Sequence, residues 1–142
     1  MGAGTYMFES GVTISGTVTV NGGTLDVYSG TFNEQSTSVL NITAPTSGTY
    51  DGIAIMQPST NTTTMQVQFG ASGLTLGASG QTLDGYIYAP GALVSLHDSG
   101  GGITATGIVA ASMTNQTSKL TIPSYDVKHP STTVNRVVTL VE

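Results

Sequence analysis

The stretch LDGYIYAPGALVSL, residues 83–96, decides the fold prediction. In it, Asp84-Gly85 precedes an alternating Tyr86-Ile87-Tyr88 run, and Ala89-Pro90-Gly91 separates that run from a second apolar run at 93–96. Alternation with a period of two residues is typical of a strand, whereas Gly and Pro mark turns. The stretch therefore predicts a corner, a short strand, a second corner and a second strand.

Short strand patterns of this kind fill most of the chain, and no segment has helical spacing. Apolar residues alternate with Thr and Ser from Val12 to Val20, and further short apolar runs recur as far as residue 122. They are separated by Gly, Ser, Thr, Asn or Pro, which are turn-forming residues. An all-β chain of this size is a sandwich, a barrel or a solenoid, and internal repetition distinguishes these architectures.

Four segments align on a glycine that is followed by a short strand. The glycines are Gly16, Gly52, Gly85 and Gly107. Their intervals are irregular, which suits the coils of a parallel β-helix with loops of variable length, and glycine permits the positive φ of a sharp corner. We predict a single-stranded, right-handed parallel β-helix (solenoid) over residues 1–122. Residues 123–142 are predicted to form an extended tail that packs on it within the same domain.

The same alignment predicts which side chains face the interior. Two residues after each glycine stand Val18, Ala54, Ile87 and Val109, which we place inside because they are aliphatic and modest in size. The flanking positions face outward, and in the later coils they form an apolar stripe. Its members are Ile53, Ile55, Tyr86 and Tyr88. We expect the tail to cover this stripe, or else the stripe to be a docking surface for a partner.

Composition excludes several classes of protein. The chain has 142 residues, enough for one domain, with 38% hydrophobic and 8% charged residues and a formal net charge of −5; this balance argues against disorder. Three Lys and Arg residues are too few to bind nucleic acid.

Cysteine is absent, so no disulfide or thiolate metal site can form. No apolar run is long enough to span a membrane, and no signal-peptide pattern follows Met1, so a secreted location predicts an excised fragment.

A set of blocks resembles a known family. The blocks are GTY at 4–6 leading into GVTI at 11–14, APTSGTYDGIAI at 44–55, DGYIYAPGALVSL at 84–96 and GIVAASMT at 107–114. Together they resemble the C-terminal β-helical regions of the TadG-like proteins of bacterial Tad (Flp) pilus assembly. The resemblance implies an extracellular or cell-surface location and a non-catalytic structural or adhesive role in a pilus-associated protein, with protein or glycan partners. It implies no catalytic residues.

Four polar residues carry the alternative prediction, a small esterase, glycosidase or phosphoesterase with its groove on the β-helix. Asp51 and Asp84 each precede a corner glycine, so on neighbouring coils their carboxylates would stack about 4.8 Å apart and share protons or bind Ca²⁺. His97 and Asp98 are adjacent in sequence, which brings them together only in a loop. An Asp that bonds its own turn is the commoner arrangement, so no catalytic residue, cofactor or metal site is assigned and the enzyme question stays open.

An end of a β-helix exposes interior apolar residues and unpaired strand edges. The sequence therefore also predicts a homodimer through the β-helix ends. Three Asn-x-Thr triplets, at Asn41, Asn61 and Asn115, match glycosylation sequons. A chain this rich in Asn and Thr is expected to contain such triplets by chance.

Overall fold

The computed structural model describes residues 1–35, 38–69, 82–98, 103–116 and 119–122. None of these residues is helical, as the sequence predicted, and these ranges contain no helix that could cross a membrane. The strands are β1 (Gly4–Met7), β2 (Val12–Ile14), β3 (Thr17–Asn21), β4 (Gly23–Asp26), β5 (Phe32–Glu34), β6 (Val39–Thr43), β7 (Ile53–Met56), β8 (Met65–Phe69), β9 (Thr82–Asp84), β10 (Tyr86–Asp98), β11 (Ile103–Thr104), β12 (Gly107–Gln116) and β13 (Leu120–Thr121). The predicted tail, 123–142, lies outside the described residues.

Every strand pairing among the described residues is parallel. Eight strands form one curled sheet, a half-barrel, in the order β1-β4-β7-β10-β8-β5-β2, with β12 paired to β10. A second sheet has the order β3-β6-β9, and β11 pairs with β13. The fold is therefore all-β, and consecutive strands along the chain are not hydrogen-bonded neighbours.

The strands fall into three rows, which the chain visits in the same order on each pass. The first row contains β1, β4, β7 and the first halves of β10 and β12; the second contains β2, β5, β8 and the second halves of β10 and β12. The third contains β3, β6 and β9, with the β11-β13 pair beside β9. Five successive passes thus place similar positions of the sequence above one another.

The predicted corner at Ala89-Pro90-Gly91 is a bend inside the long strand β10. Before the bend β10 pairs with β7, and after it β10 pairs with β8. The register against β12 shifts between Ala89 and Leu93. Gly91 lies so close to the backbone carbonyl oxygen of Ser59 that a Cβ there has no room. The bend carries one continuous strand from the first row into the second, and this continuity curls the sheet.

The core lies between the three rows and is built from columns of stacked apolar side chains. In the first row Leu25, Ile55 and Ile87 are in register and buried. In the third row Val20, Ile42 and Leu83 form the matching column. The second row contributes its own column, which contains Phe32, Met65 and Val94. Period-two alternation produces these columns because parallel strands in register align the inward positions.

A register shift of β7 against β10, and a one-residue offset of β12 from the predicted glycine alignment, correct the predicted directions of side chains. Ala54 and Ile87 are buried as predicted, but Ile55 is also fully buried, so the prediction that it faces outward is wrong. The register slips by one residue at Ala54, so Ile55 instead pairs with Ile87 and joins the interior column. On β12, Ile108 pairs with Ile87, and Val109 pairs with the outward Tyr88. A shift of one residue exchanges the two faces of a strand.

The glycine alignment itself holds for one pair only. Gly52 and Gly85 occupy neighbouring corners, where the Tyr86 amide donates to the Gly52 carbonyl oxygen at 2.7 Å. Gly107 pairs with Tyr86 instead of Gly85. Gly16 precedes β3, which belongs to the third row. Sequence spacing alone could not assign these glycines, because each pass has corners that look alike.

Candidate binding surface

The outer face of the second row carries a line of uncharged polar side chains, which we call the polar row. Its members stand in register on successive passes and are Thr13, Asn33, Gln66, Ser95 and Thr114. Thr13, Gln66 and Thr114 are exposed, and Asn33 and Ser95 are half-buried. The Thr114 hydroxyl donates to the Ser95 hydroxyl oxygen at 3.1 Å. The row therefore presents hydroxyl and amide groups at the strand spacing of about 4.8 Å.

The two corner aspartates lie on adjoining passes. Asp51 and Asp84 precede the stacked glycines Gly52 and Gly85, and both side chains are exposed. Asp84 is in register with Thr43 on the outer face of the third row. No hydrogen bond joins the two carboxylates, and the described ranges contain no group of three His, Asp or Glu residues that could hold a metal ion. Asp51 is therefore a solvated turn residue, and Asp84 is the solvated last residue of β9.

His97 and Asp98 lie at the other end of β10 from Asp84. His97 is exposed and stands in register between Gln68 and Gln116 on the second row. Asp98 pairs with Phe69, but its side chain lies outside the described residues. Both residues belong to the end of the same strand, β10. The structure thus separates His97 from Asp84 by the length of β10 and does not bring the four polar residues into one groove.

Three of the four residues of the predicted apolar stripe lie on the outer face of the first row. Ile53, Tyr86 and Tyr88 are half-buried there, and Tyr88 continues a register line through Met56. The fourth, Ile55, is buried in the core instead. Asp26, which the sequence did not single out, also lies on this face, because it pairs with Met56 on the side opposite Tyr88.

Asp26 is a buried carboxylate that the chain covers with its own 44–51 loop. Only 3% of Asp26 is exposed, and the Tyr50 hydroxyl donates to its Oδ2 atom at 3.2 Å. Its Oδ1 atom is buried without a hydrogen-bond partner. Burial, the negative charge of Asp26 and this hydrogen bond raise the pKa of Tyr50 above its ordinary value. The loop that contains Tyr50 therefore covers part of the outer face of the first row, which the tail was predicted to cover.

A second buried network joins two passes at the corner between the first and second rows. The Asn61 side-chain amide donates to the carbonyl oxygens of Val27 at 3.0 Å and Gly30 at 2.9 Å. The Thr63 backbone amide and hydroxyl both donate to Asn61 Oδ1, at 3.2 and 2.6 Å. The Asn61-Thr62-Thr63 triplet thus forms a structural corner, and both hydrogens of the Asn61 side-chain nitrogen are used in hydrogen bonds to the backbone. Its only sequence signal was the Asn-x-Thr spacing that also marks a sequon.

No family model, curated protein or solved structure matches this chain. The geometry of the rows and the chemistry of the side chains that they expose are therefore the guides to function.

Proposed function

We propose that the chain is a right-handed parallel β-helix that acts as a non-catalytic, extracytoplasmic adhesive module of a pilus-associated bacterial surface protein, and that it binds a glycan. Five passes through three parallel rows, in constant order, support the β-helix. The TadG-like pattern of GTY, IYAP and the linked blocks supports the location and the pilus association. The observation that carries the binding role is the polar row.

The chemistry of the polar row favours a neutral glycan over a protein partner. Its five members are hydroxyl and amide residues without a formal charge, and none is aromatic or aliphatic. The cores of protein–protein interfaces are enriched in aromatic residues, Met and Arg, none of which is present in this row. Sugar hydroxyls both donate and accept hydrogen bonds, as Thr, Ser, Asn and Gln side chains do.

The geometry of the row favours an extended chain as its ligand. Each pass adds one polar side chain at about 4.8 Å, so a polysaccharide that lies along the row meets a new donor or acceptor at each step. Hydrogen bonds of this kind each contribute about 1 kcal/mol net, so affinity depends on their number. The outer face of the third row is a poorer candidate, because the exposed Asp84 introduces a charge there.

The test compares two triple variants for binding to immobilised neutral polysaccharides, with charged polysaccharides and bacterial surface proteins in parallel. Thr13→Ala/Gln66→Ala/Thr114→Ala removes the exposed members of the polar row. Thr17→Ala/Thr19→Ala/Thr43→Ala is the matched control on the third row, where all three residues are also exposed. We expect the first variant to lose about tenfold or more in affinity for a neutral glycan, and the control to change by less than about twofold.

Two results would overturn this proposal. One is equal loss of binding in both variants, because the polar row would then have no special role. The other is binding to a surface protein with no binding to any neutral glycan, which would assign the module to a protein partner. Labelling of intact bacteria with a membrane-impermeant reagent tests the location separately, and an unlabelled chain would place it inside the cell.

A further inference from the structure

The loop of residues 44–51, which we call the strap, runs from β6 on the third row to β7 on the first. Its middle is exposed, whereas Tyr50 near its end is half-buried. Two backbone hydrogen bonds close its base, in which the Gly52 amide donates to the Pro45 oxygen at 2.8 Å and the Ile53 amide to the Tyr50 oxygen at 2.9 Å. The strap is therefore closed by its own backbone, and the Tyr50 side chain joins it to β4.

Tyr50 reaches a carboxylate that lacks hydrogen bonds. The Tyr50 hydroxyl donates to Asp26 Oδ2 at 3.2 Å, while Asp26 Oδ1 is buried and has no hydrogen-bond partner among the described residues. The register neighbours of Asp26 on the two adjoining strands are Met7 and Met56, whose side chains offer no donor. A buried charge with a missing hydrogen bond destabilises the state that buries it, and more so than a neutral group does. The closed position of the strap therefore carries a free-energy cost that opening removes.

The backbone beneath the strap is held in place by other contacts. The Phe8 amide donates to the Asp26 oxygen and the Val27 amide to the Met56 oxygen, both at 2.8 Å, so this backbone is bonded to the segments on both sides. On the inner face of β4, Leu25 is buried in the core. Release of the Tyr50 hydroxyl thus breaks neither the strand ladder nor the core.

We propose that the strap opens and closes over Asp26 as a local unit while the rest of the fold stays intact. Opening returns the carboxylate to water, and the groups that bonded the strap then bond to water as well. It also restores conformational freedom to the strap. In the closed state the outer face of the first row shows half-buried apolar side chains such as Ile53 and Tyr88, and in the open state it also presents a carboxylate. The strap therefore controls the charge of this face.

Native-state hydrogen exchange followed by NMR measures this opening, because an amide exchanges when its hydrogen bond opens. The amides of Gly52 and Ile53 report the strap, and the amide of Val27 reports the backbone beneath it. Each rate is expressed as a protection factor, relative to the same amide in an unfolded chain of the same sequence. We expect the two strap amides of the wild-type chain to be at least about tenfold less protected than Val27. Their exchange should also be nearly independent of low urea concentrations, because a local opening exposes little surface.

Two variants change the cost of closing in opposite directions. Asp26→Asn keeps the shape of the side chain and an acceptor for the Tyr50 hydroxyl but removes the buried charge, so protection of Gly52 should rise about tenfold or more. The weaker hydrogen bond to a neutral acceptor offsets only part of this gain, because the desolvation cost of a buried charge is larger. Tyr50→Phe removes the donor to Asp26 Oδ2, and protection of Gly52 should fall about tenfold.

Asp51→Asn is the matched control, because it removes the same charge from an exposed carboxylate of the strap; protection should change by less than about twofold. Wild-type strap amides that are as well protected as Val27, with the same urea dependence, would overturn the proposal, because the strap would then open only when the whole fold unfolds. Unchanged protection in Asp26→Asn, or an equal rise in Asp51→Asn, would overturn it too. The strap lies on the first row and the polar row on the second, so the result is independent of glycan binding.

Discussion

Alanine at Gly85 should be one of the most destabilising small substitutions in this chain, because two independent costs coincide there. Gly85 has φ of +148°, in a region that is essentially restricted to glycine, which costs another residue about 1–3 kcal/mol. A Cβ at Gly85 would also stand 2.6 Å from the Ala44 Cβ and 2.9 Å from the Ala54 Cβ. Overpacking of this kind costs about 1–3 kcal/mol, so Gly85→Ala should lower the free energy of unfolding by about 2–6 kcal/mol.

Three other glycines separate the two costs. Gly52 has φ of +75°, but its Cβ would meet only the Tyr86 ring at 3.5 Å, an ordinary contact; Gly52→Ala should therefore cost about 1–2 kcal/mol. Gly91 has no positive φ, but its Cβ would meet the Ser59 carbonyl oxygen, so Gly91→Ala isolates the steric cost at about 1–3 kcal/mol. Gly16 has neither feature, with nothing within 4 Å of its Cβ, and Gly16→Ala should change stability by less than about 0.5 kcal/mol.

Urea unfolding followed by far-ultraviolet circular dichroism gives the four free energies from the midpoints and slopes. A small domain has about 5–15 kcal/mol of stability, so the difference between Gly85→Ala and Gly16→Ala should be plain. If Gly85→Ala is as stable as Gly16→Ala, the structure is wrong in placing the Gly85 corner against the corner at Gly52. If Gly85→Ala matches Gly52→Ala, the steric contribution from Ala44 and Ala54 is refuted.

Three further perturbations probe other parts of the structure. Asn61→Ala removes two donors from the Val27 and Gly30 carbonyls and should cost about 2–4 kcal/mol in urea unfolding, whereas Asn33→Ala on the outer face should cost less than about 1 kcal/mol; equal effects would contradict the buried corner network. Ile55→Ala should cost about 2–5 kcal/mol and Ile53→Ala clearly less, because Ile55 is fully buried; the reverse order would restore the outward position of Ile55. The pKa of Tyr50 is raised in the folded state, so the stabilisation by its protonated hydroxyl is complete below its ordinary pKa of 10.0 and is lost as pH rises through the higher folded value. Urea midpoints of the wild-type chain should therefore approach those of Tyr50→Phe above about pH 10, and a constant difference at all pH values would refute the Tyr50–Asp26 contact.

The sequence by itself determined the class of local structure. Period-two alternation in segments such as Val12–Val20 and Tyr86–Tyr88, with Gly and Pro between the runs, could produce only short strands and corners. It also indicated corners at Gly52 and Gly85, because a small polar residue, a glycine and an apolar run recur there. These features depend on residues a few positions apart, so the local pattern is sufficient to predict them.

Only the tertiary structure decided the register of the strands. Whether Ala54 or Ile55 faces the core depends on the slip of β7 against β10, and one residue of slip exchanges the two faces. The polar row likewise exists only because Thr13, Asn33, Gln66, Ser95 and Thr114, which are separated by loops of unequal length, stack in register. The Asp26–Tyr50 and Asn61 contacts join passes 24 or more residues apart in sequence. Such long-range pairings minimise unsatisfied backbone groups and buried voids over the whole chain, and a local pattern does not contain that information.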